Sequence, residues 1–466
     1  MYRLPLLGET ENWLSRYISS IEDDREIARH IVLTLLEHVI ELHRCGTIPR
    51  EVACKICRAL REIYDKIEEL YSRQDLDRYE DFHELLEKHL VDKLGIDVAG
   101  WIGLGRSRND HVVTAHRLKL REVFRDLIIR ILELRRALID RAEQHRDKMF
   151  IAFTHGQPAQ VTLFSHYLLS IEEMLQTYVN MLLQVLEKVV EKSPLGCGPA
   201  VGTTVPIDRY REARDLCFND ICINALYCTE SRDYLLITGS ILSSLSVELS
   251  RVVNDLIRLA DPQIGIIVIP EEHCATSSIM PHKRNPATLE IARARLGRVL
   301  GEYVSLCSII RCVGKGYYLD LQEATPHVWN MARIIMNVLE ILRDIFSKIR
   351  VNDDKVRKLV SELPVTSAET VEQTCLKSGR SFREIYLETA RKIREGTACL
   401  LPPEDVLALR SSIGSASLRG IDRQISDAIS RLEKDYNALR RLEERIVTAV
   451  SNVFRACDEV CERLCT

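Results

Sequence analysis

The 466-residue sequence contains no uninterrupted apolar run of the ~18 residues that a membrane-spanning helix needs, which argues against an integral membrane protein. It also lacks long blocks of one charge sign. A net charge of −4 leaves no basic field for nucleic acid or an anionic membrane surface. The start, MYRLPLLGETENW, has no signal-peptide core, so a cytoplasmic location is expected. No internal repeat or low-complexity linker divides the chain. Strand-like stretches are scarce, and Ile264 to Pro270 is the only fair candidate.

What the chain does contain is ordinary for a soluble globular protein: 46% hydrophobic and 28% charged residues, over a length that supports a large core. The 15 cysteines are many for a reducing compartment. Cys54 and Cys57 form a lone C-x-x-C with no second pair at zinc-finger spacing, so no metal site is expected. Cys457, Cys461 and Cys465 recur every four residues on one helical face. They read as small buried hydrophobes, with disulfides as the alternative.

Helical periodicity dominates. Phe124, Leu127, Ile128, Ile131 and Leu138 follow the i, i+3, i+4, i+7 template in a long segment after Asp110. Further long runs cover about Val161 to Val190, Tyr234 to Leu259, Ala287 to Cys312 and Val328 to Ile349. Such helices, well beyond the usual ~11–12 residues, predict a bundle with a broad face for self-association. A final long helix is expected from about Asp422 to Cys465. The predicted fold is all-α with three lobes: residues 1–110, a central bundle of five long helices over 111–350, and 351–466.

Polar chemistry concentrates between these helices. In TSSIMPHKRNPATLE, Thr276 to Glu290, two serines precede Lys283 and Arg284, and Asn285-Pro286 reads as an N-cap and first helical residue. A helix N-terminus beside two cations attracts a carboxylate or stabilises an anion. By itself this is a polar surface turn. In GLGRSRNDHV, Gly103 to Val112, Arg106, Arg108 and Asn109 stand at a helix mouth with Asp110 available as a cap, a set suited to carboxylates. FTHGQPAQVTLFSHYLL, Phe153 to Leu169, places His155 between Thr154 and Gln157 in a turn, whereas His166 reads as structural. SPLGCGPAVGTTVPIDR, Ser193 to Arg209, is rich in turn formers and reads as backbone-shaping.

Thr276 to Pro286 resembles the signature loop of the fumarase/aspartase superfamily, G-S-S-x-M-P-x-K-x-N-P, with Thr276 in place of the leading glycine. The Gly105 to Asp110 run, the Thr154-His155 turn and the Ser193 to Arg209 stretch resemble the argininosuccinate lyases within it. Shorter matches are YISSIEDD (Tyr17 to Asp24), EDFH (Glu80 to His83), SRDY (Ser231 to Tyr234), YYLDLQE (Tyr317 to Glu323) and GRSFRE (Gly379 to Glu384). The chain departs from the family at Gly103-Leu104, His111 and Thr325, the last standing where a lysine is usual. MPHKRNP is worded more like the adenylosuccinate lyases.

This resemblance implies a cofactor-free, metal-free β-elimination that releases fumarate from argininosuccinate. Adenylosuccinate, or a homologue without catalysis, is the alternative. It implies Ser277 as general base and Lys283 and Asn285 as stabilisers of the anionic intermediate. His155, oriented by Glu290, becomes the acid on the leaving nitrogen. Ser107, Arg108, Asn109 and Thr154 would hold carboxylates, and Ser20, Tyr317 and Gln322 the rest of the substrate. It also implies a homotetramer whose sites are shared between subunits.

Overall fold

The computed structural model describes residues 11–73 and 76–462. Long helices carry the architecture: α1 (Ala28–Arg44), α2 (Arg50–Asp65), α3 (Arg108–Gln144), α4 (Phe164–Val185), α5 (Asp233–Leu259), α6 (Ala287–Ile310), α7 (Thr325–Lys348) and α8 (Leu418–Glu462). Each buries the apolar face that its periodicity foretells. On α7, Val328, Met331, Ala332, Ile335, Val338, Leu339, Leu342 and Ile345 all lie in the core. The all-α expectation holds.

α5 packs against α4, α6 and α7, while α3 lies against α1, α4, α7 and α8. The α5–α6 approach is close because Gly239 has no side chain; a Cβ there would sit 2.9 Å from the Tyr303 ring. Two buried ion-pair sets stitch the long helices together. Arg135 of α3 reaches Glu172 of α4 at 2.7 Å and Asp435 of α8 at 2.5 Å, and Arg121 binds Glu191 through two nitrogens at 2.8 and 2.7 Å. Removing one partner of such a buried set strands a charge and costs about 3–5 kcal/mol.

The structure corrects four details. First, Val161 to Leu163 are not helical: they end a strand, β2 (Gln157–Leu163), paired antiparallel with β1 (Met149–Thr154). Ile264 to Pro270 is therefore not the only strand region, and within it only Ile267–Val268 pairs, with Arg350–Val351.

Second, the amphipathic periodicity of the sequence runs from Asp24 to Arg44, but α1 begins only at Ala28, because Ile21–Asp24 forms a separate turn of helix. Third, α5 is long and apolar enough to cross a bilayer by length and composition alone, although charged residues such as Glu248 and Arg251 interrupt its apolar run. Half of its most apolar window is buried inside the bundle.

Fourth, not every cysteine is a small hydrophobe. Cys54 of α2 and Cys461 of α8 form a disulfide with Cα atoms 5.0 Å apart. Cys57, Cys197, Cys222, Cys228 and Cys457 are buried free thiols, as expected, and Cys465 lies outside the described residues.

Candidate active site

The N-terminus of α3 forms the wall of a small cavity of about 90 Å³. Ser107, rather than Asp110, is the N-cap. Its hydroxyl accepts the Asn109 amide at 3.2 Å, and Asp110, three residues on, accepts the Ser107 amide at 3.0 Å in a capping box. Asp110 also accepts the Gly198 amide at 2.9 Å, and Asn109 donates to the Pro199 carbonyl at 3.1 Å. The glycine-rich stretch Ser193 to Arg209 thus latches onto this turn. Burial pushes the Asp110 carboxyl up to about 6, against the stabilising Ser107 and Gly198 amides.

Arg108 projects into the cavity and pairs with Asp81 at 2.7 Å and Glu80 at 3.4 Å. Ser20, Asn109, Tyr317 and Gln322 line the same space, so five of the sequence-derived substrate residues meet. Tyr317 donates weakly to Gln322 at 3.5 Å, and burial pushes its phenol up to about 12. Thr325 stands in the same wall with its hydroxyl 3.4 Å from His116 Nε2, and His116 Nδ1 lies 2.9 Å from the Tyr234 hydroxyl.

Sequence reasoning did not single out Asp24, Asp81, His116 or Arg232, which also line the cavity. Asp24, Asp81 and Arg232 lay inside quoted motifs. His116 carried a usable signal, since Arg108, Val112 and His116 are spaced four apart on one helix face. Asp24 accepts the Ser20 hydroxyl at 3.1 Å and the Phe82 amide at 3.0 Å. Burial, reinforced by the Asp81 charge, raises its carboxyl to about 7.

His155 lies elsewhere. With Gly156 it forms the two-residue tip of the β1–β2 hairpin, both at positive φ (53° and 75°), as a type I′ turn requires. Thr154, His155, Gly156 and Gln157 are exposed. The tip is held from behind by Arg258, at the end of α5, which donates to the Gly156 carbonyl at 2.7 Å and lies over the Phe153 ring.

Ser277 to Lys283 form a loop between the paired strands Ala275–Thr276 and Arg284–Asn285. This shifts the expected cap by one residue: Asn285 is paired in a strand, Pro286 is the N-cap without a side-chain bond, and α6 starts at Ala287. The Ser277 hydroxyl accepts the Met280 amide at 3.1 Å and the Ile279 amide at 3.4 Å. Lys283 and Glu290 are exposed. His273 fastens the loop base, facing Thr288 at 3.1 Å and Asp344 at 2.9 Å.

The two groups of residues occupy opposite ends of the bundle. Thr325, the first residue of α7, lines the cavity, whereas Lys348, its last, pairs with Glu272 beside the serine loop at 2.9 Å. A 24-residue helix spans about 36 Å. None of Thr154, His155, Ser277, Lys283, Asn285 and Glu290 lines the cavity. Among the described residues, no group of three or more His, Cys, Asp or Glu side chains is arranged to hold a metal ion.

The profile of the lyase family matches residues 21–301. The chain is 43% identical to the argininosuccinate lyase of Pyrobaculum arsenaticum, over 90% of this chain and 96% of that one. It is 37% identical to that of Sulfurisphaera tokodaii, over 94% and 95%. Among solved structures it resembles an EDDS lyase in complex with formate (TM-score 0.84, 19% identity, 97% and 96% covered). It also resembles a class II fumarase from Schistosoma mansoni (TM-score 0.67, 16% identity, 83% and 91% covered).

Proposed function

The chain belongs to the argininosuccinate lyase family, and from that premise we propose that it cleaves argininosuccinate to arginine and fumarate by anti β-elimination, as a step of arginine biosynthesis. The observation that carries this reading to the substrate is the cavity. It combines Arg108 and Asn109, suited to a carboxylate, with Asp24 and Asp81, suited to a guanidinium.

The proton to be removed is α to a carboxylate, and its loss places a second negative charge on that group. Stabilising this charge is the largest demand on the site. Ser277 is the proposed base. Its oxygen already faces two amide N–H groups, which favour the alkoxide form. Lys283, Asn285 and the start of α6 meet the charge on the substrate. As the C–N bond breaks, His155, oriented by Glu290, gives a proton to the departing nitrogen. Ser107, Arg108, Asn109 and Thr154 hold carboxylates, and Ser20, Tyr317 and Gln322 hold the arginine portion, joined by Asp24. Arg232 contributes positive charge in the wall where Thr325 is neutral.

A site with all these groups requires more than one chain, since about 36 Å of helix separates them in a single copy. We therefore take the enzyme to be a cytoplasmic homotetramer with shared sites, built from lobes 1–110, 111–350 and 351–466. Its partner is a small molecule, with no role for nucleic acid or membrane. Exposed apolar residues on α5 and α6, among them Val247, Ile291, Leu300 and Val304, offer a face for this assembly.

The test is fumarate release, followed by absorbance, from argininosuccinate and adenylosuccinate side by side. Turnover of argininosuccinate is expected. Turnover of adenylosuccinate alone would sink the substrate assignment and spare the elimination chemistry.

A further inference from the structure

Behind the Arg108–Asn109 turn lies a histidine that the proposed chemistry does not use. His38 of α1 is fully enclosed. Its Nδ1 lies 3.2 Å from Glu212 Oε1 and its Nε2 lies 2.8 Å from the Leu104 carbonyl. A carbonyl and a carboxylate are both acceptors, so satisfying both contacts takes a proton on each ring nitrogen.

The surroundings bear on that charge from every side. Burial opposes it. The Glu212 bond and charge, the Leu104 carbonyl and Asp110 of α3 favour it, and the balance raises the imidazole above its ordinary value. His111 of α3 meets the ring edge-on at 5.4 Å, and Glu37 and Glu41 flank it along α1. The other Glu212 oxygen is buried without a partner, so this carboxylate depends on His38.

Both partners lead to the same place. Leu104 immediately precedes the turn that carries Arg108 and Asn109. Glu212 sits on the helix Arg209–Asp215, which ends the loop that supplies the Gly198 amide to Asp110 and the Pro199 carbonyl to Asn109. His38 therefore ties together, from a third element, the two loops that set the turn.

We propose that His38 is a positioning residue: held as an imidazolium between Glu212 and the Leu104 carbonyl, it fixes Arg108 and Asn109 for carboxylate binding. This rests on the reading of those two residues as carboxylate contacts. Above the raised imidazole value one proton is lost, one of the two bonds goes with it, and the turn loosens.

The test uses full-length wild type, His38→Gln and Glu212→Gln across the neutral-to-alkaline range. In the wild type, KM for argininosuccinate is expected to climb with pH. In His38→Gln it should be raised about tenfold at neutral pH, without that pH limb and with kcat within about threefold. In Glu212→Gln the limb should move to lower pH, because the imidazole loses its carboxylate. Hydrogen exchange supplies a readout that does not depend on turnover. Amides 104–110 should exchange at least about tenfold faster in His38→Gln, with α7 unchanged. Unchanged exchange at 104–110, or a lower Tm with KM and its pH limb intact, would overturn the proposal. Loosened amides in a protein whose wild type releases no fumarate would instead break the functional reading on which the proposal rests.

Discussion

Thr325 and Lys348 are the two ends of one helix. Thr325 faces His116 in the cavity wall, and Lys348 faces Glu272 and Asp344 beneath the serine loop. Residues proposed to act together in the elimination are thus separated by the length of the bundle. Two variants damaged at opposite ends, Arg108→Ala and His155→Ala, are expected to be nearly inactive alone. Unfolded together and refolded as a mixture, they should regain activity, because some mixed sites receive both intact groups. A mixture no more active than either parent would exclude sites shared in this way.

Ser277→Ala removes the proposed base together with the acceptor for the Met280 and Ile279 amides. kcat is expected to fall by about 10²–10⁴-fold, with KM changed much less. Single-turnover fumarate formation measures this directly. A variant retaining a tenth of wild-type kcat would move the base elsewhere.

Asp24 predicts a pH effect whose sign follows from its raised carboxyl, about 7 against 3.8 in the unfolded chain. The folded state binds the proton more tightly. This group's contribution to stability is therefore fully present in acid, declines as pH rises from about 4 to about 7, and is flat above. Denaturation at pH 5 and pH 8 should show a smaller decline in Asp24→Asn than in wild type. If Asp24 meets the guanidinium, kcat/KM for argininosuccinate should rise through about pH 7 in wild type and lose that rise in the variant.

The Cys54–Cys461 disulfide joins residues 407 apart in sequence, and such closure acts mainly on the unfolded chain. Cys54→Ser is expected to lower the stability by about 2–4 kcal/mol, read from denaturant unfolding with midpoint and slope fitted separately, because the freed unfolded chain exposes more surface. Reductant should shift wild type towards the variant and leave the variant unmoved. Equal midpoints for wild type with and without reductant would count against the cross-link.

Much of the fold was legible because burying one face of a long helix demands apolar residues every three or four positions, and α3, α5, α6 and α7 keep that spacing throughout. The β1–β2 hairpin was harder to see. His-Gly is a less familiar pair at positive φ than Asn-Gly, and the flanking residues lack clean alternation. The pairing of Cys54 with Cys461 was invisible for a different reason: the two cysteines are near each other only because α8 returns along α2.

The sequence by itself determined the helical class, the polar turns and the chemistry those turns suit, since each is a local property of a few neighbouring residues. Tertiary structure decided which turns meet. It joined Ser20, Arg108, Asn109, Tyr317 and Gln322 around one cavity, added Asp24 and His116 to its wall, and set His155 and Ser277 at the other end of the bundle. The physical reason is the rigidity and length of the helices between them: a rise of about 1.5 Å per residue, maintained over 24 residues, keeps the two ends of one chain apart whatever their chemistry.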